Sequence, residues 1–166
     1  AVFIFSDCVP PKSKERVGVG FIGAGLFTRG TLMPIMRKVR HIELIGVSAL
    51  KGMTSKVISE KEGFKYATSD YKEILNDPNI DIVFILTRHN SHHLLICEAL
   101  NAQKAVYCEK PLCINKEELN NIISAYRTLN TQPSTSPFLM LGFNRRFAPT
   151  TRECMKFIGQ NNKSSV

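Results

Sequence analysis

The sequence predicts an α/β fold, a doubly wound parallel sheet of six strands in the order 3-2-1-4-5-6 with helices on both faces. Three observations lead there. Short apolar runs alternate with segments of helical period along the 166-residue chain. The first apolar run ends in a glycine pair, Gly23 and Gly25, followed by a sequence able to start a helix. The run Ile82-Val83-Phe84-Ile85-Leu86 is apolar without alternation, as in a strand buried on both faces of a parallel sheet.

The elements follow in order. Residues 1–15 read as a leader or linker, because Pro10-Pro11-Lys12-Ser13-Lys14 has no apolar period. The first strand is expected at 16–22. A helix should run from Leu26 to Arg40, kinked or broken at Pro34, which removes a backbone donor. Ile42 to Val47 is the second strand. Thr54 to Glu62 is a helix stopped by Gly63, and Phe64 to Ala67 is a short third strand. Ser69 or Asp70 caps a helix through Leu75 that Asp77-Pro78 ends. Asp81 to Leu86 is the fourth strand, Ser91 to Gln103 a helix, and Lys104 to Glu109 the fifth strand. Asn115-Lys116-Glu117-Glu118 resembles a capping box opening a helix to Leu129. After a polar loop at 130–137, Phe138 to Phe143 is the sixth strand. A last helix spans Pro149 to Ile158, and the polar tail from Gln160 should fray. No internal repeat is visible.

Composition narrows the function classes. Apolar residues make up 43% and charged residues 22%, as in ordinary globular chains, and no apolar run is long enough to span a membrane. The apolar start Ala1-Val2-Phe3-Ile4-Phe5 lacks a basic leading segment, so it is not read as a signal peptide. Five scattered cysteines with no C-x-x-C spacing fit a reducing, cytoplasmic setting better than a metal or disulfide framework. The net charge of +8 suits a phosphate-bearing ligand. Without basic residues interleaved with aromatics, it does not point to nucleic acid.

The candidate site residues sit where this topology gathers its loops. At the first strand, Gly23 permits a tight turn and Gly25 lets the backbone approach a pyrophosphate seated on the next helix start. Gly23 and Gly25 therefore read as a dinucleotide-binding turn of the Rossmann type, with an ordinary strand-to-helix turn as the alternative. Thr28 stands where the third glycine of that fingerprint would be. After the second strand, Val47-Ser48-Ala49-Leu50-Lys51 lacks the acidic residue that binds ribose hydroxyls at an NAD site. Ser48 could hydrogen-bond a ribose hydroxyl or a 2′-phosphate and Lys51 could neutralise that phosphate, which favours NADP over NAD. After the fourth strand comes Thr87-Arg88-His89-Asn90-Ser91-His92-His93. Its histidines have no Cys or carboxylate at ligand spacing, so no metal site is expected. After the fifth strand, Glu109-Lys110-Pro111 puts a lysine where it can polarise a substrate hydroxyl or carbonyl. From the tripeptide alone, a surface Glu–Lys pair is the simpler reading.

Taken together, the glycine turn, Thr87…His92, Glu109-Lys110-Pro111-Leu112 and Gly142-Phe143-Asn144-Arg145-Arg146-Phe147-Ala148-Pro149 resemble the Gfo/Idh/MocA family of NAD(P)-dependent oxidoreductases. The resemblance runs from Arg16 to Phe157. The Thr-Arg-His-Asn loop is most similar to a subgroup fused behind an alcohol dehydrogenase-like module, which would make residues 1–15 part of an interdomain linker. The resemblance implies hydride transfer between NAD(P) and a sugar, cyclitol or sugar nucleotide. Gly23, Ala24, Gly25, Leu26 and Phe27 would match the pyrophosphate turn, and Lys110 would be catalytic. Thr87, His92 and Glu109 would be cofactor-side positions, and Arg146 would lie in the segment leaving the last strand.

The resemblance also sets the expected domain plan. Residues 16–147 would be the cofactor domain, and 148–166 a helix leading toward a C-terminal substrate domain. On that reading the chain alone binds cofactor with little or no turnover, and a homo-oligomer is compatible with it. The alternative is a non-catalytic module that senses a dinucleotide or scaffolds a partner.

Overall fold

The computed structural model describes residues 15–50, 52–129 and 137–161. The leader, the 130–136 loop, Lys51 and the end of the tail lie outside them. Among the described residues, β1 (Val17–Ile22), β2 (Ile42–Ser48), β3 (Tyr66–Thr68), β4 (Ile82–Ile85), β5 (Ala105–Glu109) and β6 (Leu139–Gly142) form one sheet. Every pairing is parallel, and the order is β3-β2-β1-β4-β5-β6. The predicted topology is the observed one. Strand order reverses between β1 and β4, which opens a crevice at their carboxyl ends.

Helices cover both faces. On one side, Val19, Phe21 and Val47 of the sheet bury Met33 and Met36 of α1 (Met33–Met36) and Ile58 of α2 (Gly52–Glu62). On the other, Ile22, Val83, Ile85, Val106 and Cys108 pack against α3 (Tyr71–Asn76), α4 (His92–Asn101) and α5 (Lys116–Leu129). Alternation along β1 explains the split, since Val19 and Phe21 point one way and Gly20 and Ile22 the other. Gly18 and Gly20 make room on the second face. A Cβ on Gly18 would overlap the Asn79 carbonyl, and one on Gly20 would come within 2.6 Å of Ile74 in α3.

Several boundaries differ from expectation, each for a local reason. The helix expected over 26–40 passes through a π-helical turn, Thr28–Leu32, and its α-helical part ends at Met36. Pro34 has no N–H to donate to the preceding turn, and the Met33 N–H reaches back to the Thr28 carbonyl. Residues 37–39 then close tighter turns, Lys38 N–H to Ile35 and Val39 N–H to Met36, that carry the chain into β2. Phe64 is not in β3. It is buried at 6% exposure, bridged to Ser59 through its own N–H and carbonyl.

Lys104 precedes β5 because its backbone N–H bonds the Ala99 carbonyl of α4 at 3.0 Å, while its Nζ donates to the Asp77 and Ile80 carbonyls at 2.7 Å. Gln103, at φ 58°, ends the α4 region in the left-handed conformation. α6 (Pro149–Asn161) continues past Ile158 through Gly159, a residue that weakens a helix without stopping it. Other signals held. Asp70 caps α3 through the Lys72 N–H, and Gly63 ends α2 at φ 79°. Asn115 and Glu118 cap α5 reciprocally, the Glu118 carboxylate also accepting from the Ile114 N–H.

Candidate functional site

The turn after β1 is fixed from beneath and open above. Gly23 adopts φ 109°, a conformation that strains any L side chain, and a Cβ there would lie 2.6 Å from the Leu86 carbonyl oxygen and 3.0 Å from the Thr87 nitrogen. Its N–H donates to the Ser48 carbonyl at 2.8 Å, so the turn is pinned to β2 while it abuts the loop leaving β4. Thr28, in the place of the third glycine, is fully buried and donates its hydroxyl to the Gly23 carbonyl at 3.1 Å. The branched side chain is accommodated by bonding the turn rather than by leaving space. Gly25 is the opposite case. A Cβ there meets nothing within 4 Å, so protein packing gives no reason for a glycine. Bare backbone facing open space at a helix start is what a phosphate ligand needs.

Beside this turn lies an open pocket of about 880 Å³ whose lining includes Phe27, Thr87, His92, Glu109, Lys110 and Arg146. The carboxyl ends of β1, β4, β5 and β6 thus meet around one volume, as the topology requires. Gly23, Ala24, Gly25 and Leu26 adjoin it on the turn, with Ala24 buried and Leu26 exposed. Ser48 stands apart at the end of β2, its side chain only 3% exposed. Lys51 lies outside the described residues.

Each lining group is held differently. Thr87 Oγ1 and Ser91 Oγ are 2.7 Å apart, and Ser91 Oγ donates to the Arg88 carbonyl, which stiffens the β4 loop. His92, at 1% exposure, has both ring nitrogens at carbonyl oxygens, so it presents an edge to the pocket and no free nitrogen. Arg146 is engaged by its own turn. Its Nε donates to the Phe143 carbonyl, and the guanidinium lies 5.8 Å from the Phe143 ring and 5.4 Å from that of Phe147. Lys110 is exposed and joined to Pro111 by a cis peptide. None of the described hydrogen bonds or ion pairs involves its ammonium group.

Glu109 is clamped. Its Oε1 accepts from Tyr107 Oη at 2.8 Å and from Asn144 Nδ2 at 2.9 Å, and its Oε2 faces the Lys110 N–H at 3.3 Å. Burial, then the bond to Glu109, pushes the Tyr107 phenol up to about 12, so it remains a donor across the physiological range. Burial, then the neighbouring Glu109 charge, also raises the Cys108 thiol to about 12, which makes it an inert part of the core. Gly142 permits the clamp, since a Cβ there would come within 2.5 Å of Tyr107 Oη and 2.8 Å of Glu109 Oε1.

Tyr107 and Asn144 were not among the sequence candidates. Tyr107 shares a strand face with Glu109 two residues on, a signal present in the sequence. Asn144 depends on the β5–β6 register that sets Glu109 opposite Gly142. Among the described residues, no group of three or more His, Cys, Asp or Glu side chains could hold a metal ion, and no helix is long and apolar enough to cross a membrane.

Comparison with known proteins shows the family and the fold. Residues 17–135 match the model of the Gfo/Idh/MocA oxidoreductase family, NAD-binding Rossmann fold. An uncharacterized oxidoreductase of Bacillus subtilis, YrbE, is 32% identical over 135 residues, 81% of this chain and 38% of that protein. A myo-inositol 2-dehydrogenase of Thermotoga maritima is 30% identical over 130 residues, 78% of this chain and 36% of that protein. A solved scyllo-inositol dehydrogenase of Lactobacillus casei, with bound NAD(H) and scyllo-inositol, superposes with a TM-score of 0.78 at 23% identity. That match covers 89% of this chain and 42% of the other. A 3-ketoreductase of Actinomadura kijaniata, in complex with NADP and TDP-benzene, gives 0.77 at 21% identity, covering 87% and 42%. The chain therefore spans well under half the length of these relatives. It belongs to the Gfo/Idh/MocA oxidoreductase family and carries that family's NAD(P)-binding Rossmann domain.

Proposed function

We propose that this chain is the cofactor-binding part of an oxidoreductase that moves a hydride between NAD(P) and a sugar, cyclitol or sugar-nucleotide substrate. The observation that carries the proposal is the pairing of Gly25 with Lys110. One is bare backbone facing open space at the strand-order reversal, and the other is an uncommitted amine in the adjoining pocket. The residues fit a dinucleotide. The turn from Gly23 to Phe27 would hold the pyrophosphate, and the Thr87 loop and Glu109 would border the nicotinamide end. Bound there, NAD(P) supplies two-electron hydride chemistry.

The chain's own residues do the rest. Lys110 Nζ, at the pocket's edge, polarises the substrate hydroxyl or carbonyl as the carbon changes oxidation state. The Glu109 clamp fixes the backbone that carries Lys110. Relatives and neighbours act on inositols or bind a sugar-nucleotide analogue, which supports this substrate class.

NADP is the favoured cofactor. No carboxylate follows β2 in the sequence Val47-Ser48-Ala49-Leu50-Lys51, and the segment brings a positive charge, as a 2′-phosphate site needs. Residues 16–147 form the cofactor domain on this reading. Met155, Phe157 and Ile158 of α6 are exposed, which supports α6 as the lead-out toward a substrate domain. The free cysteines support a cytosolic setting. Calorimetric titration with NADPH and NADH tests the reading. Micromolar binding of NADPH that is lost in Gly25→Val supports it, and no binding of either nucleotide at millimolar concentration refutes it.

A further inference from the structure

His92 opens α4 at the floor of the pocket, and its ring is 1% exposed. Nδ1 lies 2.7 Å from the Pro111 carbonyl oxygen on the β5 loop, and Nε2 lies 3.1 Å from the Thr87 carbonyl oxygen on the β4 loop. Carbonyl oxygens only accept, so the ring must donate. A ring nitrogen bonded to a carbonyl must carry a proton, and the shorter of the two contacts is at Nδ1. The charged and titratable groups sharing the pocket are His89, edge-on at 5.7 Å between ring centroids, with Glu109, Lys110, Arg145 and Arg146. No carboxylate bonds the His92 ring among the described contacts, and Glu109 is already held by Tyr107 and Asn144.

We propose that His92 is a positioning residue, a strut whose Nδ1–H holds the Pro111 carbonyl and so fixes the Lys110–Pro111 turn against the Thr87 loop. The geometry supports this independently of any ligand. A helix start supplies the rigid base, and one planar ring spans the ends of two adjacent strands. The Lys110 backbone is then gripped from both sides. Glu109 Oε2 faces its N–H, and His92 holds the next residue's carbonyl. The consequence for catalysis rests on the function proposed above. The strut itself does not, and its test uses no cofactor.

Two variants separate the ring nitrogens. In His92→Asn the side-chain amide stands where Nδ1 stands and keeps the Pro111 bond. In His92→Gln it reaches the Nε2 position and keeps only the Thr87 contact. Amide hydrogen exchange of the 166-residue chain should be at least tenfold faster over residues 110–114 in His92→Gln. It should stay within about threefold of wild type in His92→Asn, with β1 and β2 unchanged in both. A uniform acceleration along the chain, equal effects of the two variants, or preservation by Gln instead of Asn overturns the proposal. A long-range ¹H–¹⁵N spectrum of the wild-type imidazoles gives a readout that needs no variant to fold. A protonated Nδ1 on His92 at neutral pH supports the strut, and a ring protonated only at Nε2 overturns it.

Discussion

Replacing Gly25 with valine separates ligand binding from folding at the turn after β1. In the structure a Cβ at Gly25 has no neighbour within 4 Å, and Gly23 and Gly63 are the described glycines with positive φ. A branched side chain at Gly25 therefore costs the fold about 1 kcal/mol or less, mainly as a poorer residue at the helix start. That is a loss of roughly 2–4 °C in Tm. The same side chain occupies the space where phosphates would approach, so affinity for NADPH should fall at least about 100-fold, near 2.7 kcal/mol. Gly23→Ala is the opposite control. Its φ of 109° and the Leu86 carbonyl 2.6 Å from the new Cβ impose strain on the fold itself. We expect about 2–4 kcal/mol and a fall in Tm of roughly 5–15 °C. Calorimetry and thermal melting of both variants check the pair. If Gly25→Val binds NADPH as wild type does, or melts as low as Gly23→Ala, the separation of roles is wrong.

Three further outcomes follow from the same structure. NADPH should bind more tightly than NADH by about tenfold or more, and Lys51→Glu should reverse the order in a competition titration; a wild-type preference for NADH refutes the Ser48/Lys51 argument alone. In the enzyme that carries this domain, Lys110→Ala should lower turnover by about 100-fold or more while leaving the cofactor Kd within about threefold, and equal losses in both would make Lys110 a binding residue. Stability should decline as pH rises from about 9 toward 12. Burial raises Cys108 from 9.0 and Tyr107 from 10.0, both to about 12, so the unfolded chain loses these protons first and the folded form is penalised through that window. The effect is on the order of a few kcal/mol, and in urea melts at stepped pH Cys108→Ala should remove the part that begins near pH 9 and leave the Tyr107 part that begins near pH 10.

The parts of the fold that follow from local rules were readable in the sequence. The continuous apolar run at 82–86, the stop at Gly63 and the Asn115 box depend on residues within a few positions of one another, and each appeared where expected. Element ends were less legible, because single backbone hydrogen bonds and close packing decide them. Phe64 lies just outside β3, where hydrogen bonds with Ser59 hold it in the turn that ends α2. The helix after the glycine turn stops at Met36 rather than Arg40 because the tight turns at residues 37–39 close it, although β2 begins at Ile42 as expected. Gly18 and Gly20 read simply as part of an apolar strand, and only the approach of Asn79, Ile74 and Ile80 explains why they carry no side chain. At the site, sequence order placed Lys110, Glu109 and the Thr87 loop at neighbouring strand ends. The inward-held His92 ring and the Tyr107–Asn144 clamp needed coordinates, because they join residues 19 and 37 positions apart.

The central claim is that a nicotinamide dinucleotide binds across the glycine turn and reaches the Lys110 pocket. The direct measurement is a backbone-amide NMR titration of the 166-residue chain with NADPH. The account predicts the largest shifts at Gly23 to Phe27, with a second set at Thr87, Lys110 and Asn144, all saturating with one affinity. Saturable shifts confined to α5, α6 or the outer faces of the sheet, with the glycine turn unmoved, would contradict it.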